Sequence, residues 1–187
     1  SINSLTRYLK SLGHKVPKNA VSDYMDWFED SFMLFTVRIY DSSPARLNTN
    51  PKKIYCIDHS LVVSVSSGIM VNSGHLLENL VFTAIRRNTP NIHYYKTKSG
   101  KEVDFITGRH GSPRMLVQAS ETLRNPKTRK RETASLTEAM AELRMPASTI
   151  VTRSEEETIE TESGTIGVIP IWRFLLRMEE TEKNHPQ

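Results

Sequence analysis

Cysteine is almost absent from this sequence of 187 residues, because Cys56 is the only one and no disulfide can form within the chain. Long hydrophobic runs are absent too, and none approaches the ~20 apolar residues that a membrane-spanning helix requires. The first residues, Ser1 to Ser4, show neither the basic start nor the apolar core of a signal peptide. We therefore expect a cytoplasmic protein without a membrane partner, in which Cys56 is a small core hydrophobe.

Two further features are missing. The pattern GxxxxGK[ST] does not occur, so this stretch has no phosphate-binding loop and no ATP site of that kind. The chain also lacks an initiator methionine and begins next to a helical pattern. We infer that it is a piece of a longer protein, and its oligomeric state stays open.

Charge is distributed unevenly along the chain. The net charge of +4 divides into +8 for residues 1–150, with 21 Lys and Arg against 13 Asp and Glu, and −4 for residues 151–187, with 4 against 8. A basic body suggests a polyanionic partner, for which DNA is the first candidate. The alternative is a protein whose charge is uneven for no functional reason.

Residues 1–60 predict a winged helix. Apolar residues at helical spacing indicate two helices, the second over residues 18–31, and two β-rich stretches follow at residues 33–40 and 54–57. The polar stretch between these strands is expected to be a loop. In a DNA-reading helix, Lys18 and Asn19 would face the nucleic acid. Winged helices bind proteins as often as DNA, so both uses stay open.

Residues 61–187 predict a mixed α/β domain, so the fold class is α/β (α+β) with a mixed sheet flanked by helices. A short helix is expected over residues 60–67, with a break at Ser66-Ser67-Gly68. The later elements are expected in this order: helix 75–88, strands 92–97, 101–107 and 115–120, helix 128–143, strand 149–152, a hairpin turning at residues 162–164, and a short helix 172–177.

Glu78 stands inside the apolar stripe of the helix over residues 75–88. Val81, Phe82 and Ile85 lie within about 60° of it at ~100° per residue, whereas Asn79 falls on the polar arc. Burying an uncompensated carboxylate is costly, so Glu78 needs a partner. That partner is either an ordinary salt bridge or cap, or the rest of a metal or acid cluster.

Asp104 is the second candidate acid. Because side chains alternate along a strand, Glu102, Asp104 and Ile106 are expected on one face. Gln118 and Ser120 share a face of the next strand, and they converge with Asp104 if those faces pair. The acid of the preceding helix reaches the same place if that helix covers it. Asp104 and Gln118 could then offer oxygen ligands to a divalent ion, which activates water for phosphodiester hydrolysis.

Six stretches form an ordered set of motifs, at residues 19–34, 50–58, 74–82, 94–105, 116–120 and 125–132. Together they resemble the C-terminal region of a group of bacterial and archaeal AAA+ ATPases. That region pairs a winged helix with a degenerate PD-(D/E)xK, restriction-endonuclease-like domain of unassigned function. The resemblance implies that an ATPase domain, which binds the ATP, lies in the part of the polypeptide before this stretch, and that such proteins form rings.

The resemblance assigns four positions of the nuclease pattern. Glu78 matches the helical acid and Asp104 the strand acid, whereas Gln118 stands where the second acid would be and Ser120 where the lysine would be. Gln118 still offers a carbonyl oxygen but no charge, and Ser120 offers no ammonium.

A lysine from elsewhere could replace the missing one. Lys101 has the wrong parity relative to Asp104 and is expected to point away, so Lys96 on the preceding strand is the better candidate.

Five basic residues fall between positions 124 and 131. Phosphate contact is one use of them, and it would weaken as salt rises. Other uses are a solvated helix start, a salt bridge to the glutamates at 155–157, or neutralisation of Glu78 or Asp104 by Arg129 or Arg131. The five residues are Arg124, Lys127, Arg129, Lys130 and Arg131.

Two functions follow from these observations. The first is a non-catalytic, nuclease-like module of an AAA+ ATPase that binds DNA or a protein partner and needs no cofactor of its own. The second is a divalent-metal-dependent DNA nuclease with a degenerate site, which would use Mg²⁺ or Mn²⁺ at Glu78, Asp104 and Gln118. Fold resemblance alone does not decide between them.

Overall fold

The computed structural model describes residues 2–65 and 73–184. Over these residues the chain forms seven helices and eight strands. The helices are α1 (Ile2–Ser11), α2 (Lys18–Asp30), α3 (Pro44–Thr49), α4 (His59–Val65), α5 (Ser73–Asn88), α6 (Pro126–Leu143) and α7 (Ile171–Asn184). The strands are β1 (Leu34–Ile39), β2 (Lys53–Cys56), β3 (Ile92–Lys96), β4 (Glu102–Arg109), β5 (Ser112–Ala119), β6 (Ala147–Thr152), β7 (Glu157–Thr161) and β8 (Gly164–Pro170).

The strands form one mixed sheet in the order β2-β1-β3-β4-β5-β6-β8-β7. A mixed α/β fold is therefore confirmed. On one face, α5 and α7 pack through a core that includes Phe82, Ile85 and Phe174. On the other face, α6 packs through a core that includes Leu136 and Met140. The central strands are thus covered on both sides, which is why Phe105, Ile106, Leu116 and Val117 are all buried.

The β1–β2 pair is the edge of this sheet. β1 pairs with β2 through residues 34–37 and with β3 through only Arg38 and Ile39, in parallel, so most of the β1–β2 ribbon extends past the end of β3. The Tyr94 hydroxyl of β3 donates to the Pro51 carbonyl at 2.8 Å, which places the start of β2 over β3. We expected these strands in a separate unit ending at residue 60. Instead they hydrogen bond into the main sheet, while the winged-helix arrangement stays a prediction.

A β-bulge in β4 corrects one expectation from alternation. Tyr95 pairs with Val103 and His93 with Ile106, so β4 uses one more residue than β3 over this stretch. Val103 and Ile106 consequently both pack in the α6 core, whereas Phe105 packs in the opposite core. Ile106 therefore does not share the face on which it was expected. Bulges redirect side chains in this way, often next to functional sites.

Other elements differ from expectation in extent. The predicted loop between β1 and β2 contains α3, which begins with Pro44 at a first-turn position that suits proline. α7 extends to Asn184 instead of ending near residue 177. The hairpin turn at residue 164 is confirmed, since Gly164 has φ +131° and a Cβ there would meet the Pro146 carbonyl oxygen. The predicted break at Ser66-Ser67-Gly68 lies outside the described residues.

Candidate functional site

Glu78 lies on the first half of α5, at the side facing β2. Its Oε1 accepts hydrogen bonds from the Tyr55 hydroxyl at 2.7 Å and from Lys53 Nζ at 3.2 Å. Its Oε2 lies 3.9 Å from His75 Nδ1, one turn earlier in the helix. The expectation that this acid needs a partner is confirmed, and the partners come from β2.

Asp104 lies at the bulge of β4 and is almost fully buried. Its Oδ1 accepts from Lys53 Nζ at 2.8 Å, and its Oδ2 accepts from the Ala119 backbone N–H at 3.0 Å. Its own backbone N–H donates to the Gln118 Oε1 at 3.1 Å. The carboxylate therefore links β2, β4 and β5.

Lys53 is the centre of this arrangement. Its Nζ lies 2.8 Å from Asp104 Oδ1, 3.0 Å from Glu102 Oε1 and 3.2 Å from Glu78 Oε1. The same ammonium lies 5.9 Å from the centre of the Tyr94 ring. We call the group formed by Lys53, Glu78, Glu102 and Asp104 the Lys53 cluster. Three acids from two elements share one cation from a third.

The electrostatics of the Lys53 cluster follow from burial and from these contacts. Burial lowers the pKa of Lys53, but the charges of Asp104 and Glu78 outweigh that effect and hold its pKa above the ordinary value. Burial, together with the nearby Glu78 charge, raises the pKa of the Tyr55 hydroxyl, so Tyr55 remains a donor. Burial also raises the pKa of Asp104 to about 6, although Lys53 opposes that shift. At neutral pH the lysine is therefore charged and faces the Asp104 carboxylate.

The four positions of the nuclease pattern line one open depression of about 360 Å³. The predicted convergence of Glu78, Asp104, Gln118 and Ser120 is thus what the fold produces. Gln118 and Ser120 are both buried, and the Ser120 hydroxyl donates to the Thr122 carbonyl at 3.3 Å. Their catalytic roles stay predictions.

A divalent ion does not fit this set of donors while Lys53 is in place. Mg²⁺ needs oxygen ligands at about 2.0–2.1 Å in octahedral geometry. Here the ammonium contacts the Asp104 and Glu78 oxygens that face each other, and the Gln118 oxygen is engaged by the Asp104 backbone. Among residues 2–65 and 73–184, no three His, Cys, Asp or Glu side chains are arranged to hold a metal ion.

The predicted alternatives for the cation have different outcomes. Lys101 pairs with Glu138 on α6, so its expected direction away from Asp104 is confirmed. Arg129 and Arg131 do not neutralise Glu78 or Asp104: Arg129 makes a two-bond contact with Glu157, and Arg131 pairs with the buried Glu132. That hypothesis was wrong because Lys53 occupies the position and other glutamates lie nearer to both arginines.

The basic run at the start of α6 is partly neutralised. Arg129 Nη2 lies 2.7 Å from Glu157 Oε2, and Arg124 Nε lies 3.7 Å from Glu155 Oε1. Lys127 and Lys130 are exposed, and Asn125 caps the helix by accepting from the Lys127 backbone N–H at 2.9 Å. The predicted salt bridge to the glutamates at 155–157 is present, and DNA binding by this run stays a prediction.

Three partners were missed from the sequence. Lys53 and Tyr55 lie on one face of β2, an alternation that the sequence shows but that does not reveal what the face contacts. Asn79 was placed on a polar arc, yet it is buried and pairs with the backbone of Cys56, accepting at 2.8 Å and donating at 3.0 Å. This pair of bonds holds β2 against α5, as a strand neighbour would. Cys56 itself is buried, as expected.

The N-terminal helices expose large apolar side chains among their charged ones. We call the exposed side chains of α1 and α2 and of the turn that follows them the aromatic face. Trp27 is 63% exposed and Phe32 64%. Lys18 and Asn19 are also exposed at the start of α2, as DNA contact would require. The large members of the face are Tyr8, Leu12, Tyr24, Trp27, Phe28 and Phe32.

The fold and the site define a mixed α/β protein in which three acids, Glu78, Glu102 and Asp104, contact one lysine of their own chain. A family described as a domain of unknown function (DUF4143) matches residues 73–174, and the chain belongs to this family. The match contains all the acids of the Lys53 cluster but not Lys53 itself, which lies before it.

One curated relative is similar along almost the whole chain. The uncharacterized protein MJ1544 of Methanocaldococcus jannaschii is 27% identical over 186 residues, covering 94% of this chain and 40% of that protein. The chain therefore spans about two fifths of the length of the curated relative it matches. No solved structure matches this chain. Within the described residues, no helix has the length and apolar character needed to cross a membrane.

Proposed function

We propose that this chain is a non-catalytic, nuclease-like module of an AAA+ ATPase and that it docks onto a protein partner. The observation that carries the non-catalytic part is the position of Lys53, whose ammonium contacts Glu78 and Asp104 of the cleft and also Glu102. Two of the four groups that the nuclease pattern requires are also replaced, by Gln118 and Ser120. Gln118 replaces the second acid of the (D/E)xK pattern, and the Lys53 ammonium lies between Glu78 and Asp104. The cleft therefore lacks the ligands that a metal needs to activate water.

Two comparisons support the link to an ATPase. Domains of this family are commonly found together with AAA ATPase domains. The matched relative is also much longer than the aligned region, because only 40% of it is covered. A second domain of substantial size is therefore available in such a polypeptide, and the ATPase domain is the partner to which we assign the docking.

The aromatic face supports a protein partner over DNA. α2 contains Asp23, Asp26, Glu29 and Asp30 against the single basic residue Lys18, so its charge repels phosphates. Exposed aromatic side chains are instead the kind that anchor protein interfaces, and contiguous apolar patches on monomers mark such sites.

Fluorescence quenching of Trp27 tests the docking. In a Trp172→Phe background, acrylamide should quench Trp27 strongly in this chain, and several-fold less in the longer polypeptide that carries the ATPase domain. The double variant Trp27→Phe, Trp172→Phe measures the background signal in each protein. Equal quenching of Trp27 in the two proteins would contradict docking at this face.

A metal-dependent nuclease is the second candidate, and one observation favours it. Lys53 places an ammonium 2.8 Å from Asp104, so it could supply the charge that Ser120 lacks. DNA incubated with the chain and MnCl₂ or MgCl₂ separates the two functions. We expect no cleavage, whereas cleavage that disappears in Asp104→Ala would establish the nuclease.

DNA binding without cleavage is a separate outcome. Reversing Lys127 and Lys130 to Glu would weaken a salt-sensitive complex if the start of α6 contacts phosphates. Unchanged binding in that variant would remove the basic run from any DNA interface.

A further inference from the structure

The acids of the Lys53 cluster come from the part of the chain that matches the family, and their cation comes from outside it. Glu78 lies on α5 and Glu102 and Asp104 on β4, within residues 73–174, whereas Lys53 is the first residue of β2. The β1–β2 ribbon therefore supplies the cation that these three acids of the matched domain contact.

The Asp104 and Glu78 carboxylates already accept hydrogen bonds from groups of this chain, which leaves little room for another cation. Asp104 uses one oxygen for Lys53 and the other for the Ala119 N–H, and Glu78 uses one oxygen for both Lys53 and Tyr55. These are charge-assisted bonds at 2.7–3.2 Å. A divalent ion at the same point would have to displace the ammonium, because both need the facing oxygens of Asp104 and Glu78.

We propose that Lys53 is the built-in cation of this cleft: its ammonium takes the place of a divalent ion and fastens the β1–β2 ribbon to the sheet. The wild-type chain is then insensitive to divalent metal, and the Asp104 and Glu78 oxygens that contact Lys53 become open to another cation only when Lys53 is removed. This inference rests on the proposed non-catalytic function and gives its physical reason.

The position of the ribbon supports a fastening role. Lys53 is joined there by Tyr55, whose ring stacks on Phe82 with centroids 4.4 Å apart, and by the Asn79 bonds to Cys56. The lysine side chain is 21% exposed. A charge held at that depth is difficult to release, since its loss would leave the buried Asp104 carboxylate without a counter-charge.

Thermal unfolding with and without MnCl₂ at neutral pH tests the proposal. Wild-type Tm should be the same in EDTA and in millimolar MnCl₂. Lys53→Met should melt at a lower temperature in EDTA, and MnCl₂ at about ten times its dissociation constant should raise its Tm by about 3–6 °C. Adding Asp104→Asn to Lys53→Met should abolish the Mn²⁺ response.

The neighbouring Lys52 supplies a matched control. It is exposed on the same ribbon, so Lys52→Met should behave as wild type in both buffers. A wild-type Tm that rises with MnCl₂ would overturn the proposal, and so would a folded Lys53→Met that ignores Mn²⁺. If Lys53→Met does not fold in EDTA but folds with Mn²⁺, the proposal is supported. If it folds in neither, the wild-type measurement alone decides.

These outcomes are distinguishable from failure of the proposed function. An unprotected Trp27 in the longer polypeptide would remove the docking and leave the Mn²⁺ response of Lys53→Met unaffected. A Lys53→Met variant that binds no Mn²⁺ would remove the built-in cation and leave the docking and the absence of cleavage in place.

Discussion

The Lys53 cluster and the basic run at the start of α6 contain the same kinds of charge but differ in burial. Lys53 is 21% exposed and contacts three acids, one of them almost fully buried. Arg129 is 42% exposed and contacts one glutamate that is itself 34% exposed. Removing one partner of a buried ion pair strongly lowers the stability of the fold, because the other charge is left buried and unpaired. Exposed ion pairs contribute little to stability, because water screens them. The charge-rich stretch that stands out in the sequence is therefore the less important one energetically.

The largest expected effect is on global stability. Lys53→Met should lower the free energy of unfolding by about 3 kcal/mol, because it leaves three carboxylates without their cation. Urea denaturation measures this change, with Lys52→Met as the control. A loss below about 0.5 kcal/mol, the size expected for a surface substitution, would place Lys53 in the same class as Arg129.

The next effect concerns pH. Burial raises the pKa of Asp104 to about 6 from its ordinary 3.8. A carboxyl whose pKa is higher in the folded state adds stability at pH values below its unfolded pKa, and that contribution is lost as the pH rises through 6. Between pH 4 and pH 6, wild type should lose on the order of 2 kcal/mol relative to Asp104→Asn. Parallel stability curves for the two proteins would contradict this.

A smaller effect is expected at the Tyr55 hydroxyl. Tyr55→Phe keeps the ring against Phe82 but removes the 2.7 Å bond to Glu78, and hydrogen bonds to charged groups contribute about 1.5 kcal/mol or more. Tyr8→Phe, at a residue of the aromatic face, should change stability by less than about 0.5 kcal/mol. Equal losses of stability in Tyr55→Phe and Tyr8→Phe would show that the hydrogen bond from Tyr55 to Glu78 contributes no more than an exposed tyrosine hydroxyl.

The smallest effect is expected at Arg129. Arg129→Gln should cost less than about 1 kcal/mol, and added salt should reduce the loss further. Glu157→Gln removes the other charge of the pair and should lower stability by a similar small amount. A loss comparable to that of Lys53→Met would remove the contrast between the two regions.

The elements of the matched domain could be predicted because each follows from local pattern. Glu78 was recognised as an acid in an apolar stripe, and the strands bearing Asp104 and Gln118 were found from alternation and turn residues. The convergence of Asp104 and Gln118 followed from the pairing of neighbouring strands, which needs no contact between distant parts of the chain. The position of Glu78 beside them depended on its helix covering that face of the sheet, which local pattern does not establish.

The identity of the cation could not be predicted in the same way. Lys53 is 25 residues before Glu78 and 51 before Asp104, in a segment expected to fold separately. Periodicity shows which face of a strand a residue occupies but not which element covers that face. The bulge in β4 is a second example, since one extra residue reverses the expected faces and leaves no mark in the composition.

The coupling energy between Lys53 and Asp104 tests the central claim most directly. A double-mutant cycle with Lys53→Met and Asp104→Asn, read by urea denaturation, isolates their interaction from the separate effects of each change. We predict a coupling of about 2 kcal/mol or more, against less than about 1 kcal/mol for Arg129 and Glu157. A Lys53–Asp104 coupling near zero would contradict the assignment of Lys53 as the cation that closes this cleft.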